Sequence, residues 1–276
     1  MTLLQGGIFA SLDIRRHPGW SAEPLWLDIP VVESVVKPYR TGHRGCEPTG
    51  AIPHLCPRNS TSMSLTVHTL TFNPFQENTY IISAPSGECV IIDPGCFDEY
   101  ERKELSELIV QFKLKPVRLI NTHCHIDHIL GNAFVARTWN LGLEIHKGEV
   151  PVLEAGMAVA SMYDVPYELS PSPTSFLAEG DNVVLDGISM KVLFTPGHSP
   201  ASICFYNESD GWLIGGDVLF YESIGRTDLP GGDHQTLLRS IRQQLFVLPN
   251  ETVVYPGHGP STKIGYEKMF NPFMQD

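Results

Sequence analysis

None of the six cysteines (Cys46, Cys56, Cys89, Cys96, Cys124, Cys204) stands in a C-x-x-C pair. They read as free thiols of a reducing compartment rather than as a disulfide framework. No apolar run approaches the roughly 18–20 residues that span a bilayer. The opening "MTLLQGGIFASLDIRR" has no positive first segment and meets Asp13 early, so it does not read as a signal peptide. Clustered Lys and Arg are missing too, and the formal net charge is -12. That excludes a sequence-independent grip on nucleic acid, which depends on basic patches. No period of 20–50 residues marks a solenoid. These absences predict a cytoplasmic protein with neither a membrane nor a nucleic-acid partner, acting on a small-molecule substrate. The subunit number is left open.

What is present is a chain of 276 residues, 42% hydrophobic and 18% charged, enough for one large domain or two small ones. Its character changes near Met63. Residues 1–62 are rich in Pro, Gly and Arg, show little periodicity, and hold six Lys/Arg against five Asp/Glu. The other 214 residues then hold 19 − 6 = 13 basic and 31 − 5 = 26 acidic groups, a net of −13. The composition predicts an N-terminal extension over 1–62, largely disordered or a non-native leader, and a catalytic domain over 63–276. The competing expectation is an ordered arm with a strand in "PLWLDIPVVESVV".

Strand patterns occur at 65–72, 78–84, 89–93, 117–121, 188–195, 201–206, 212–216 and 252–255. "PSGE" between the second and third predicts a hairpin. Leu105, Leu108, Ile109 and Phe112 recur at i, i+3, i+4 and i+7, predicting a helix over 98–113. Further helices are expected over 128–139 and 234–247. Alternation of this kind indicates an α/β layered domain with mixed sheets and outer helices.

Metal-ligating side chains recur at the ends of these strands. "NTHCHIDHILGN" places His123, His125, Asp127 and His128 within six positions. "IIDPG" carries Asp93, "TPGHS" carries His198, "GGDVLF" carries Asp217 and "YPGHG" carries His258. Taken singly, His198 or His258 reads as a hydrogen-bonded structural histidine, and Asp217 as a cap or turn residue. Taken together, they sit on loops that layered α/β folds gather at one sheet edge. Imidazole and carboxylate ligands without thiolate suit zinc, iron or manganese. With Asp93 set aside as support, the seven ligands His123, His125, Asp127, His128, His198, Asp217 and His258 exceed one tetrahedral ion and fit two divalent metal ions that share a carboxylate. Cys124 and Ile126, the spacers, are expected to face away. His146 and His234 are left unassigned.

"THCHIDH", "TPGHS", "GGDVLF" and "YPGHG" resemble the successive metal motifs of the metallo-β-lactamase-fold hydrolases. With "IGRTDLPGGD" and "PGHGPSTKIGYEKMFNPF", the chain is most similar to the short, single-domain glyoxalase II-like (hydroxyacylglutathione hydrolase-like) branch. The resemblance implies a four-layer αβ/βα sandwich with the site at one edge. It implies one ion on His123, His125 and His198, and a second on Asp127, His128 and His258. Asp217 would bridge them, Asp127 would orient the attacking water, and Asp93 would support the ligands from behind. Arg226, in "GRTD", is a weak candidate for contacting an anionic substrate; an ion pair is the competing role. The implied activity is thioester hydrolysis, as of S-lactoylglutathione. Alternatives on the same motifs are a lactonase, esterase or β-lactamase, or a mono-iron persulfide dioxygenase.

Overall fold

The computed structural model describes residues 64–275. The expected extension over 1–62 lies outside them. The described chain forms two six-stranded sheets with helices outside each. The elements run β1 (Thr66–Phe72), β2 (Glu77–Ser83), β3 (Glu88–Ile92), α1 (Glu99–Gln111), β4 (Lys115–Ile120), α2 (Ile126–Ile129), α3 (Asn132–Trp139) and β5 (Leu143–Ile145). There follow α4 (Val150–Tyr163), β6 (Pro173–Phe176), β7 (Asn182–Leu185), β8 (Ile188–Phe194), β9 (Ile203–Asn207) and β10 (Trp212–Gly216). The chain closes with β11 (Leu219–Phe220), β12 (Ser223–Ile224), α5 (His234–Ser240), β13 (Val253–Pro256), β14 (Thr262–Lys263) and α6 (Ile264–Phe270).

The first sheet has the order β1-β2-β3-β4-β5-β6, antiparallel as far as β3 and parallel beyond. The second is β14-β13-β10-β9-β8-β7, antiparallel except for the parallel β10–β13 pair. Successive strand residues point to opposite faces, and here both faces are covered. Ile82, Ile92 and Ile120 join Met190, Val192, Phe205 and Ile214 in the core between the sheets. Their neighbours Ile81, Ile91 and Leu119 pack outward with Leu105, Ile109, Ile129 and Leu153 of the first helical layer. Leu213 and Val254 pack with Leu237, Ile241 and Ile264 of the second. This is the helix–sheet–sheet–helix sandwich expected.

Three helices differ from their expected form. The 128–139 helix is two: α2 ends at Ile129, and Gly131 is drawn aside as its N–H donates to the Pro94 carbonyl at 2.7 Å. A Cβ at Gly131 would come within 2.5 Å of Cys96 Sγ, so the break follows the packing. The 234–247 helix widens into a π turn at Ile241–Leu245. In α1 the apolar stripe stops short: Asp98 caps the helix through the Tyr100 and Glu101 N–H groups, and Leu105 and Ile109 are buried. Phe112 falls at the C-cap, half exposed, with its ring against His68.

Candidate metal centre

The first sheet's β3 and β4 and the second's β10 and β13 end at one edge, where the sheets are stitched together. Asn78 Nδ2 donates to the Pro256 and Gly259 carbonyls at 3.1 and 2.9 Å, and the Tyr80 hydroxyl donates to Pro256 at 2.6 Å. The Ile203 N–H donates to the Thr122 carbonyl at 2.9 Å. These bonds set the loop after β4 opposite the loops after β8, β10 and β13.

All seven predicted ligands converge there. His123, His125 and His198 form one group and Asp127, His128 and His258 another, each with ligand atoms within 4.8 Å of one another. His125 Nδ1 faces His198 Nε2 at 2.8 Å. Two nitrogens on one tetrahedral zinc stand about 3.3 Å apart, so the pair is close to ligand spacing. In the second group His258 Nε2 lies 3.0 Å and His128 Nε2 3.7 Å from Asp127 Oδ2. Asp217 touches both groups. Its Oδ2 is 3.4 Å from His198 Nε2 and 3.5 Å from His258 Nε2, and its Oδ1 is 3.5 Å from His128 Nε2. Gly257 leaves room for that carboxylate: a Cβ there would meet Asp217 Oδ1 at 2.1 Å.

The residues fit metal ions on their own chemistry. His123 Nε2, His128 Nε2 and Asp217 Oδ1 are buried without a hydrogen-bond partner. Each such atom costs about 1–3 kcal/mol unless something else engages it. A cation would engage all three. Burial, with the neighbouring His128, holds the His123 imidazole well below its usual pKa; burial and His198 push His125 down to about 3. Burial also lowers His198. These rings are therefore neutral, the form that ligates metal. In the other group burial opposes charge on His128, but Asp127 and Asp217 outweigh it and raise its pKa well above the ordinary value. His258 is raised as well, burial being outweighed by Asp127 and Asp217. The two carboxylates thus hold protons on their histidine neighbours where a dication would serve.

The far nitrogens are anchored, which fixes which nitrogen faces inward. His198 Nδ1 donates to the Arg226 carbonyl at 2.7 Å, and His258 Nδ1 to the Phe75 carbonyl at 3.0 Å. Asp93, buried and in the left-handed region at φ 51°, accepts from Thr122 N–H at 2.7 Å, Thr122 Oγ1 at 2.6 Å and His128 Nδ1 at 3.2 Å. The Thr122 hydroxyl is also 3.1 Å from His123 Nδ1. One carboxylate therefore orients a histidine in each group. Asp93 also falls in a third set with His123 and His128, but its oxygens are already taken by these donors, so it orients rather than ligates.

A model of the metallo-beta-lactamase superfamily matches residues 72–258. The chain belongs to that superfamily. It is 37% identical over 202 residues to the probable metallo-hydrolase YqgX of Bacillus subtilis, covering 73% of this chain and 93% of that one. It is 33% identical over 214 residues to the hydroxyacylglutathione hydrolase GloC of Haemophilus influenzae, covering 76% and 98%. Among solved structures, the BLEG-1 B3 metallo-beta-lactamase aligns with TM-score 0.71 at 34% identity, covering 76% of this chain and all of that one. TTHA1623 in a di-iron-bound form aligns with TM-score 0.68 at 38% identity, covering 75% and 100%.

Within this superfamily site the other expected residues fall as follows. Cys124 and Ile126 pack into the core beneath the first sheet, away from the ligands. Arg226 is exposed and paired through two bonds of 2.7 Å with Asp228, so its guanidinium is already engaged; its backbone carbonyl is what serves the site. His146 stacks on Phe194 and caps a 3-10 turn at Lys147–Glu149. Sequence reasoning missed Thr122, Glu77 and Glu149. Glu77 is buried with Oε1 3.8 Å from His128 Nδ1, and burial raises its pKa well above the carboxylate range. Thr122 had a signal in its place beside His123; the two glutamates had none.

Proposed function

We propose that this protein is a dinuclear metal-dependent hydrolase of thioesters such as S-lactoylglutathione. The observation that carries the reading is the shared carboxylate: Asp217 lies within 3.5 Å of nitrogens from both ligand groups. His123, His125 and His198 would hold one ion, and Asp127, His128 and His258 the other. We take the ions to be zinc, with iron as the alternative that the likeness to di-iron TTHA1623 supports. When bound, two such ions lower the pKa of a water from about 15.7 toward 7 and polarise a carbonyl oxygen.

The chain's own residues supply positioning. Asp127, ionised beside His128 and His258, accepts the hydrogen bond that orients the attacking water. The anchored imidazoles keep the two groups in register, so little reorganisation accompanies the reaction. Every histidine and aspartate at the site is committed to ligation or orientation, and none is left to protonate a leaving group. A thiolate, with a pKa of about 8.5, departs without that help, whereas an amine does not. The likeness to GloC supports the same substrate class. The likeness to TTHA1623 in a di-iron-bound form supports two ions over the single iron of a persulfide dioxygenase. The likeness to BLEG-1 favours a β-lactamase as the second reading. We take the protein to be cytoplasmic; no helix among the described residues is long and apolar enough to cross a membrane.

A substrate panel on one zinc-loaded preparation separates these readings. S-lactoylglutathione should be turned over at least tenfold more efficiently than a lactone or a β-lactam. The reverse order would replace the thioesterase reading while leaving the metal site in place.

A further inference from the structure

Glu149 is fully buried, and it lies on neither a ligand loop nor a catalytic motif. Its carboxylate gathers three donors. Oε2 accepts from the Cys124 N–H at 3.0 Å, and Oε1 accepts from the Ala201 N–H at 2.8 Å. The Ser199 hydroxyl lies 2.8 Å from both oxygens. Cys124 separates His123 from His125, and Ser199 follows His198. One carboxylate therefore joins the two segments that carry all three ligands of the three-histidine group. No corresponding bond reaches Asp127 or His258.

The turn that presents Glu149 is itself wedged into place. His146 Nδ1 accepts the Gly148 N–H at 3.1 Å, and its ring stacks on Phe194. A Cβ on Gly148 would lie 2.6 Å from the Ala201 Cβ, so the turn sits directly on the loop after His198. A buried carboxylate is costly unless its oxygens are satisfied, and here satisfying them closes the two segments on one another. The three-histidine group also has no anionic ligand of its own apart from the shared Asp217. A negative charge behind its peptide groups favours a cation there, as a carboxylate behind a ligating histidine does.

We propose that Glu149 is a positioning residue that sets the metal affinity of the three-histidine group and not that of the Asp127–His128–His258 group. The proposal rests on the two-metal reading. Its test is a Co(II) titration of the chelator-stripped full chain, following the visible absorption of bound cobalt, with a thermal melt of the metal-free protein alongside. Wild type should take up two equivalents. Glu149→Ala should weaken one equivalent by about 10–100-fold, the range for loss of an outer partner of a metal ligand, and leave the other unchanged. In a His258→Ala background Glu149→Ala should weaken the remaining equivalent; in a His198→Ala background it should not. Ser199→Ala, which removes one donor from the other side, should show a smaller effect on the same equivalent. Should Glu149→Ala fail to fold, Glu149→Gln is read instead, with a weakening of about three- to tenfold expected, since one oxygen survives. A lowered melting temperature with both cobalt affinities at wild-type values, in whichever variant folds, would overturn the proposal. Failure of wild type to bind two equivalents would overturn the two-metal reading instead.

Discussion

Asp93→Asn isolates the orienting carboxylate with almost no change in volume. In the wild type Oδ1 accepts the Thr122 N–H at 2.7 Å, and Oδ2 accepts the Thr122 hydroxyl at 2.6 Å and His128 Nδ1 at 3.2 Å. An amide has one acceptor oxygen, and neither orientation rescues all three donors. With its nitrogen in the Oδ1 position, two N–H groups face each other and the buried Thr122 N–H is orphaned. With its nitrogen in the Oδ2 position, the Thr122 hydroxyl can turn to accept, but His128 Nδ1 loses its acceptor. One orphaned buried donor costs about 1–3 kcal/mol, and loss of charge assistance on the surviving bonds adds about 1 kcal/mol. The sum is about 2–4 kcal/mol, and at about 2–4 °C per kcal/mol for a domain of this size the melting temperature falls by about 5–15 °C. Thermal melts of the metal-free protein, followed by circular dichroism, measure it. A fall of less than about 2 °C would refute the reasoning, because it would place Asp93 among ordinary surface positions.

Other changes act on single contacts. Thr122→Val keeps the shape but removes the hydroxyl between Asp93 and His123 Nδ1; a competition assay against a chelator should show one metal equivalent weakened about tenfold. Gly257→Ala drives a methyl into the space of Asp217 Oδ1. Because Asp217 lies within 3.5 Å of nitrogens in both groups, both equivalents should weaken by at least about tenfold, and an effect on one alone would contradict the proposed sharing. Arg226→Ala removes an exposed guanidinium bound to Asp228 and leaves the backbone carbonyl that holds His198. Its kcat/KM on S-lactoylglutathione should stay within about twofold of wild type, as befits an exposed pair.

The clustering of the candidate ligands was legible because short strands ending in glycine-rich loops announce themselves. "TPGHS", "GGDVLF" and "YPGHG" each place one donor after a buried strand, and the two sheets do bring those strand ends together. The helix α4 was not legible. Its buried positions are Leu153, Gly156 and Ala160, two of them too small to register as an apolar stripe, while Met157 and Met162 are exposed. The short strands β5, β6, β7 and β14, of two to four residues, carry too little pattern for a period of two to show. Glu149 and Glu77 were hidden for another reason. A glutamate in a polar-looking run reads as solvent-exposed, and only the distant Cys124, Ser199 and Ala201 backbone and side-chain donors make burial of Glu149 tolerable.

The central claim is that two ions sharing Asp217 carry out thioester hydrolysis. The most direct measurement is S-lactoylglutathione turnover against zinc equivalents bound, on chelator-stripped protein reloaded stepwise and checked by elemental analysis. Activity should rise to a plateau at two equivalents per chain, and Asp217→Ala should abolish the plateau. Full activity at one equivalent or none, or a variant at Asp217 that keeps wild-type turnover, would contradict the account.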